Sequence, residues 1–295
     1  MLRRFVKMQG AGNDYIYFDC LHGELEKPET LAVRLSDRHK GIGGDGIVLI
    51  CESAVADAKM RMFNADGSEG NMCGNAIRCV GKYLYDGGIV HGEDMTVETR
   101  SGIKKLHCFA GENGKVREVR VDMGPAVFEP ARIPAVFEPG RGSAVSEAGR
   151  FFAAGEERIV DRPLKIAGRT YSVTCLSMGN PHCVVFENPD GVDLEKIGPL
   201  FENAPVFPER VNTEFVQKIG ERTLKMRVWE RGSGETMACG TGACAAAAAA
   251  VAKGMFPAGE EITVKLRGGN LKICVGDTVY MTGGAEVVFT GEVEI

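Results

Sequence analysis

Two cysteines of this chain sit in matched settings. In EGNMCGNAIRCVGKYLY, Cys73 is followed by glycine and then by helix-favouring residues; in ETMACGTGACAAAAAAVAKG, Cys239 is followed by glycine and soon by six consecutive alanines, Ala245 to Ala250. Alanine and straight-chain residues favour a helix, and Gly87-Gly88 and Gly254 are good C-terminal stops. The spacing predicts helices over 75–85 and 242–253, with Asn75 and Thr241 as N-caps and each thiol beside a helix N-terminus. The second helix has almost no polar face, so it should be buried all round. An ordinary thiol has a pKa of about 8.5, and a helix N-terminus lowers it while its unpaired N–H groups bind anions such as carboxylates. One such cysteine would suggest a nucleophile with a histidine partner, and His182 with Cys239 could form that pair, but Cys73 would then be unexplained. Two equivalent thiols suit a different reaction: one removes a proton from a carbon, the other delivers a proton to its opposite face, and the centre inverts. A thiol–disulfide redox pair or a metal held by the two thiols would also use such residues.

The elements that position these thiols are themselves duplicated. At a shift of 166, KMRMFNADGSEGNMCGN lies over KMRVWERGSGETMACGT, so Phe63 meets Trp229, Glu69 meets Glu235 and Cys73-Gly74 meets Cys239-Gly240. At a shift of 167, Gly12-Asn13 meets Gly179-Asn180. Asn13 precedes Cys73 by 60 residues and Asn180 precedes Cys239 by 59. The period is too long for a solenoid and implies two facing domains of similar fold. Apolar segments such as YIYFD, GIVLIC, KMRMFN, DMTVET and REVRVDM read as short strands, many flanked by glycine. The expected fold class is α+β, with two pseudo-symmetric domains. Each is a mixed β-sheet or barrel wrapped round a central helix, with an active site in the cleft between them. One domain is placed at 1–123, joined by a C-terminal strand at 283–295, and the other at 124–282. Between them PAVFEP occurs twice, at Pro125–Pro130 and Pro134–Pro139, followed by GRGSAVSEAG and a charged patch to Asp161; this reads as a surface extension.

The bulk properties exclude several classes. A chain of 295 residues is long for one core, and 44% hydrophobic with 25% charged residues is ordinary globular composition. A net charge of -5 with no basic cluster leaves no electrostatic footprint for nucleic acid. The opening MLRRFVKMQGAGND lacks an apolar signal core, and no apolar run approaches the roughly 20 residues of a membrane helix. The expectation is a cytoplasmic protein without membrane or nucleic-acid partners. Its ten cysteines then form no disulfide framework, and about eight of them, Cys79 and Cys244 included, read as small buried residues. Only Cys239 and Cys244 approach a zinc-type spacing. The glycine-rich GAGND and GIGGDG fit neither a dinucleotide fingerprint nor a phosphate loop.

Together, GAGNDYIYFD, RHKGIGGDGIVLI, FNADGSEGNMCGNAIRC, MGNPHCVVF, RVNTEF and WERGSGETMACGTGACAA resemble the diaminopimelate epimerase family, in the family's order and over residues 7 to about 250. Proline racemase-like enzymes share the wider fold but carry His after the first Cys-Gly, where this chain has Asn75. The resemblance implies interconversion of LL- and meso-diaminopimelate without cofactor or metal, in lysine and peptidoglycan synthesis, by a homodimer. It implies Cys73 and Cys239 as acid/base thiols, with His182 and Glu230 setting their protonation. It further implies substrate binding by Asn13, Asn64, Asn180, Asn212, Glu230 and Arg231, and carboxylate binding by Gly74-Asn75 and Gly240-Thr241. Arg suits bidentate carboxylate pairing, and amides both donate and accept. Where some members have a substrate-binding Gln, this chain has Gly46. Racemisation of another amino acid, as in proline racemase, is the rival within the class.

Overall fold

A computed structural model describes residues 2–137 and 158–295. The second PAVFEP copy from its last residues, and all of GRGSAVSEAG, lie outside the described residues. The chain divides into two compact units, residues 2–122 with Thr282–Ile295, and Met123–Met281.

The first unit runs β1 (Leu2–Gly10), β2 (Asn13–Cys20), α1 (Pro28–Ser36), β3 (Gly46–Cys51), β4 (Ala58–Asn64), β5 (Glu69–Gly70), α2 (Gly74–Asp86), β6 (Asp94–Thr99), β7 (Gly102–Ala110) and β8 (Val116–Asp122). The second runs β9 (Arg162–Ile166), β10 (Arg169–Ser177), β11 (Pro181–Phe186), α3 (Leu194–Glu202), β12 (Asn212–Gly220), β13 (Thr223–Glu230), β14 (Gly234–Glu235), α4 (Gly240–Ala252), β15 (Glu261–Leu266) and β16 (Gly269–Val275). After β17 (Val279–Gly284), β18 (Glu286–Glu294) returns to the first unit, antiparallel to β1.

The pairing repeats from one unit to the other. β2 lies parallel to β3 with Tyr15 opposite Gly46, and β11 lies parallel to β12 with His182 opposite Asn212. β4 and β13 each return antiparallel and fold back as a short ribbon with β5 and β14. The same ion pair closes each ribbon: Arg61 Nε to Glu69 Oε1 and Arg227 Nε to Glu235 Oε1, both 2.8 Å. These glutamates stand four residues before Cys73 and Cys239, so the ribbons deliver both cysteines to their helices alike.

α4 touches β10, β11, β12, β13, β15 and β16, and Ala243 to Ala250 are fully buried. A run of alanine lets strands approach on every side, because the side chain adds one carbon. α2 is amphipathic, with Ile77, Cys79, Val80 and Leu84 fully buried. The ten cysteines are thiols, and six of the eight outside the Cys-Gly pairs are buried, with Cys51 and Cys274 half-exposed.

Two expectations are corrected. The N-caps are Cys73 and Cys239 themselves, extended in backbone (φ -126° and -114°), not Asn75 and Thr241. Their carbonyls accept the first helical bonds, from Ile77 N at 3.0 Å and Ala243 N at 2.9 Å, because Gly74 and Gly240 are already helical. Where it is described, the segment carrying the two PAVFEP copies is no surface extension: Phe128, Ile133 and Ala135 are buried, and Val127 bridges Ser177. Ile133 and Ala135 join the core of the second unit together with Leu164, Ile166, Tyr171 and Val173 of β9 and β10.

Candidate active site

In the first unit, the start of β2, the start of β3 and the end of β4 lie at one end of the sheet, which brings Asn13, Gly46 and Asn64 into neighbouring rows. Cys73, half-buried at the head of α2, donates from Sγ to Asn13 Oδ1 at 3.3 Å. Asn13 Nδ2 donates to Asp45 Oδ2 at 2.6 Å, and Arg38 Nη2 donates to Asp45 Oδ1 at 2.9 Å. Arg38 also grips Asp14, which pairs with the buried Lys7 ammonium at 2.5 Å. Burial alone would raise the Asp14 carboxyl, but Arg38 and Lys7 outweigh it and hold it below the usual carboxylate range. The Asn13 amide is therefore fixed by a charged network, and this orients it toward the thiol. Asn64 is tied to its own turn, Nδ2 to Ser68 Oγ at 3.0 Å.

Gly74 and Asn75 form the first turn of α2 above the fully buried Arg78, whose Nη1 donates to Gly74 O at 3.0 Å and to Asn75 Oδ1 at 2.9 Å. A guanidinium under a helix N-terminus adds positive potential where the dipole is already positive, which favours an anion. The sequence reading missed Arg78, since an arginine inside a helix carries no distinguishing pattern. Gly46 has φ 157°, and a Cβ there would meet Phe63 O at 2.0 Å. No side chain fits, so contact at this position is limited to backbone.

The second half-site is built on β11, β12, β13 and the head of α4. Cys239 is buried at 5% exposure; its Sγ accepts from Gly242 N at 3.3 Å and meets Thr241 Oγ1 at 3.5 Å. Burial pushes this thiol well above its ordinary value, and the Glu230 charge adds to that, against the opposing hydrogen bonds of Thr241 and Gly242. Asn180 Nδ2 donates to Thr241 Oγ1 at 3.4 Å, and Asn180 Oδ1 meets His182 Nε2 at 3.0 Å. On its other side, His182 Nδ1 lies 2.7 Å from Glu214 Oε1, with both side chains fully buried. Glu214 was not among the expected site residues, although a carboxylate in the apolar strand run NTEFV is a visible signal.

Glu230 accepts from Thr236 Oγ1 at the base of the β13–β14 ribbon. Asn212 is buried with both amide ends on backbone, donating to Pro181 O at 3.0 Å and accepting from Arg231 N at 2.9 Å. It fixes the start of the Arg231 turn. Glu202 holds the same turn, accepting from Gly232 N at 2.9 Å and Trp229 Nε1 at 2.7 Å. The Arg231 guanidinium donates to Glu209 O at 2.8 Å. Thus Asn180, His182, Glu230, Thr241 and Cys239 gather in one unit, while Asn13, Asn64, Asn75 and Cys73 gather in the other.

Among solved structures, a phenazine biosynthesis protein of the PhzF family from Bacillus anthracis is similar over 100% of both chains (TM-score 0.70, 18% identity). A probable proline racemase from Agrobacterium radiobacter is similar over 99% of this chain and 93% of that one (TM-score 0.68, 15% identity). At that identity the likeness concerns the fold, a two-domain α+β architecture. Sequence relatives are much nearer. The diaminopimelate epimerase of Desulfovibrio desulfuricans is 52% identical over 98% of this chain and 97% of its own, and that of Acetivibrio thermocellus 49% over 99% of each. The family model described as diaminopimelate epimerase matches residues 5–129 and 174–288. On these matches, the chain belongs to the diaminopimelate epimerase family of isomerases.

Proposed function

We propose that this protein interconverts LL- and meso-diaminopimelate by two-base proton transfer between Cys73 and Cys239, without pyridoxal phosphate. The observation that carries the reading is the duplicated thiol at a helix N-cap, each near the asparagine of a preceding Gly-Asn turn. One thiolate removes the α-proton, and the other thiol delivers a proton to the opposite face. Cys239, which burial holds as the thiol, is the donor in one direction; in the return direction the roles exchange. The N–H groups at the heads of α2 and α4 hold the carboxylate of the reacting centre and offset the charge that develops on the α-carbon side. Arg231 pairs with the distal carboxylate. Asn13, Asn64 and Asn180 orient the amino groups, and Asn212 acts by fixing Arg231.

Names of the relatives support the substrate; a role in lysine biosynthesis, in the cytoplasm, is part of the same proposal. Among the described residues no helix is long and apolar enough to cross a membrane. A homodimer is part of the proposal, supported by Val287, Val288 and Phe289, which stand exposed along β18. The test is incubation of the reduced protein with LL-diaminopimelate in deuterated water, with no added pyridoxal phosphate or metal. Deuterium at the α-carbon together with meso product is expected; no exchange overturns the proposal. Parallel assays on proline and glutamate separate it from racemisation of another amino acid.

A further inference from the structure

The residues around Cys239 form a continuous hydrogen-bonded chain that ends in a carboxyl with no contact to solvent. From the inside outward it runs Glu214 Oε1 to His182 Nδ1 (2.7 Å), His182 Nε2 to Asn180 Oδ1 (3.0 Å), Asn180 Nδ2 to Thr241 Oγ1 (3.4 Å) and Thr241 Oγ1 to Cys239 Sγ (3.5 Å). Every member can both give and receive a proton or hydrogen bond, so the state of the first link sets the direction of the rest. Two directions are chemically consistent. If Glu214 is an anion beside a neutral imidazole, it accepts from His182 Nδ1–H, the bare Nε2 accepts from the Asn180 amide, and the Asn180 oxygen faces Thr241. If Glu214 is a carboxylic acid, it donates to a bare Nδ1, His182 Nε2–H donates to the Asn180 oxygen, and the Asn180 NH2 faces Thr241 and, beyond it, the thiol.

The surroundings choose between them. The second carboxyl oxygen, Glu214 Oε2, is buried with no hydrogen-bond partner among the described residues. A carboxylate with one oxygen uncompensated in the interior is far costlier than a neutral acid with a bare carbonyl oxygen. The ionisable groups that bear on Glu214 are His182, Glu230, Cys239 and Cys183; burial raises the Glu214 carboxyl above its ordinary value, outweighing the lowering effect of His182, and Glu230 opposes a second negative charge. The head of α4 is shaped round this carboxyl: a Cβ on Gly242 would lie 2.7 Å from Glu214 Oε1 and 3.3 Å from Cys239 Sγ. The other half has no counterpart. In the equivalent rows, Tyr15 stands where His182 does and Val48 where Glu214 does.

We propose that Glu214 is a positioning residue of the Cys239 half-site: as a neutral carboxylic acid it locks His182 in the Nε2–H tautomer and thereby turns the Asn180 amide so that its NH2 faces Thr241 and the thiol. A neighbouring acid or carbonyl commonly sets the tautomer of a functional histidine in this way. The inference rests on the epimerase reading for its kinetic arm only.

The test compares the wild-type enzyme with Glu214→Gln, whose NH2 can donate to Nδ1 as the acid does, and Glu214→Val, which cannot. Proteins labelled with 15N-histidine report the His182 tautomer by NMR, with its signals assigned by their loss in His182→Gln. The expected result is the Nε2–H tautomer in the wild type and in Glu214→Gln, and a mixed or reversed tautomer in Glu214→Val. In turnover, Glu214→Val loses about tenfold or more in kcat with little change in KM, and Glu214→Gln restores most of that loss. An Nδ1–H tautomer or an imidazolium in the wild type, an unchanged tautomer in Glu214→Val, or a Gln variant as impaired as Val overturns the proposal. Should Glu214→Val not fold, the wild-type and Gln tautomers still decide it. Absence of epimerase activity in the wild type would sink the functional reading and leave the tautomer measurement standing.

Discussion

His182 and Glu214 meet at 2.7 Å with neither side chain exposed, on adjacent parallel strands directly behind the buried thiol of Cys239. An enclosed pair of this kind leaves the head of α4 so tight that a Cβ at 242 would lie 2.7 Å from Glu214 Oε1 and 3.3 Å from Cys239 Sγ, so that one of them must shift. Gly242→Ala is therefore expected to displace either the carboxyl or the thiol. It should lower kcat by roughly tenfold or more while costing about 1–3 kcal/mol of stability, as overpacking does. Steady-state kinetics alongside a denaturant titration checks this, and a variant with unaltered kcat would contradict the geometry.

Each thiol should be indispensable to inversion without being needed for folding. Cys73→Ala and Cys239→Ala are each expected to lose on the order of 10²–10⁴ in kcat, the range for removal of a general acid or base. Circular dichroism should stay unchanged. Normal turnover by either variant would refute the two-thiol mechanism.

Reactivity of Cys239 should follow its raised pKa. A thiol whose pKa is lifted holds less thiolate at neutral pH, so its alkylation lags and then climbs as pH rises through that value. At pH 8, iodoacetamide is expected to modify Cys239 at least about tenfold more slowly than a small free thiol, since raising a thiol's pKa by one lowers its thiolate fraction about tenfold. The lag should narrow as pH rises toward 10. Simple occlusion by protein would lower the rate by a constant factor, so peptide mass spectrometry at several pH values separates the causes.

The ribbon that precedes Cys239 supplies a stability prediction. Glu235 accepts from Arg227 Nε and Nη2, both at 2.8 Å, and from Arg267. The Arg227 hydrogen bonds outweigh partial burial and hold the Glu235 carboxyl below its ordinary value of 4.5. A depressed folded-state pKa contributes stability above the unfolded value that disappears as pH falls through the folded one. Glu235→Gln should thus cost about 2 kcal/mol at pH 7, in the range for charged hydrogen bonds, and progressively less below about pH 4. A penalty independent of pH would show that the ion pair is not its source.

Gly46 invites restoration of the side chain that some family members carry there. The backbone forbids it here, because a Cβ would lie 2.0 Å from the Phe63 carbonyl oxygen. Gly46→Gln is expected to destabilise the fold by about 3 kcal/mol or more, through strain and overpacking, without improving KM. Thermal unfolding and kinetics would show it, and a stable variant with lower KM would prove the position open.

Much of this could be read from residue order. Cys-Gly followed by alanine or apolar runs marked both helices, because helix propensity and capping are local. The duplication of Asn13 and Asn180, and of Glu69 and Glu235, announced repeated strand pairing. The helix starts moved by a residue or two, since Gly74 and Gly240 are helical and the cysteines themselves cap. The PAVFEP segment looked like a surface run because proline and glutamate punctuate it, yet Ile133 and Ala135 are drawn into the second core.

By itself the sequence determined which residue types recur, at what spacing, and hence the family and the pair of thiols. Tertiary structure alone decided how those groups are charged and aimed. Glu214 gains its meaning from parallel strands that place it behind His182 and from burial that leaves one oxygen without a donor among the described residues. Arg78 gains its meaning from lying beneath the first turn of α2. Protonation and hydrogen-bond direction depend on what surrounds a group in three dimensions, and no spacing along the chain encodes the desolvation that sets them.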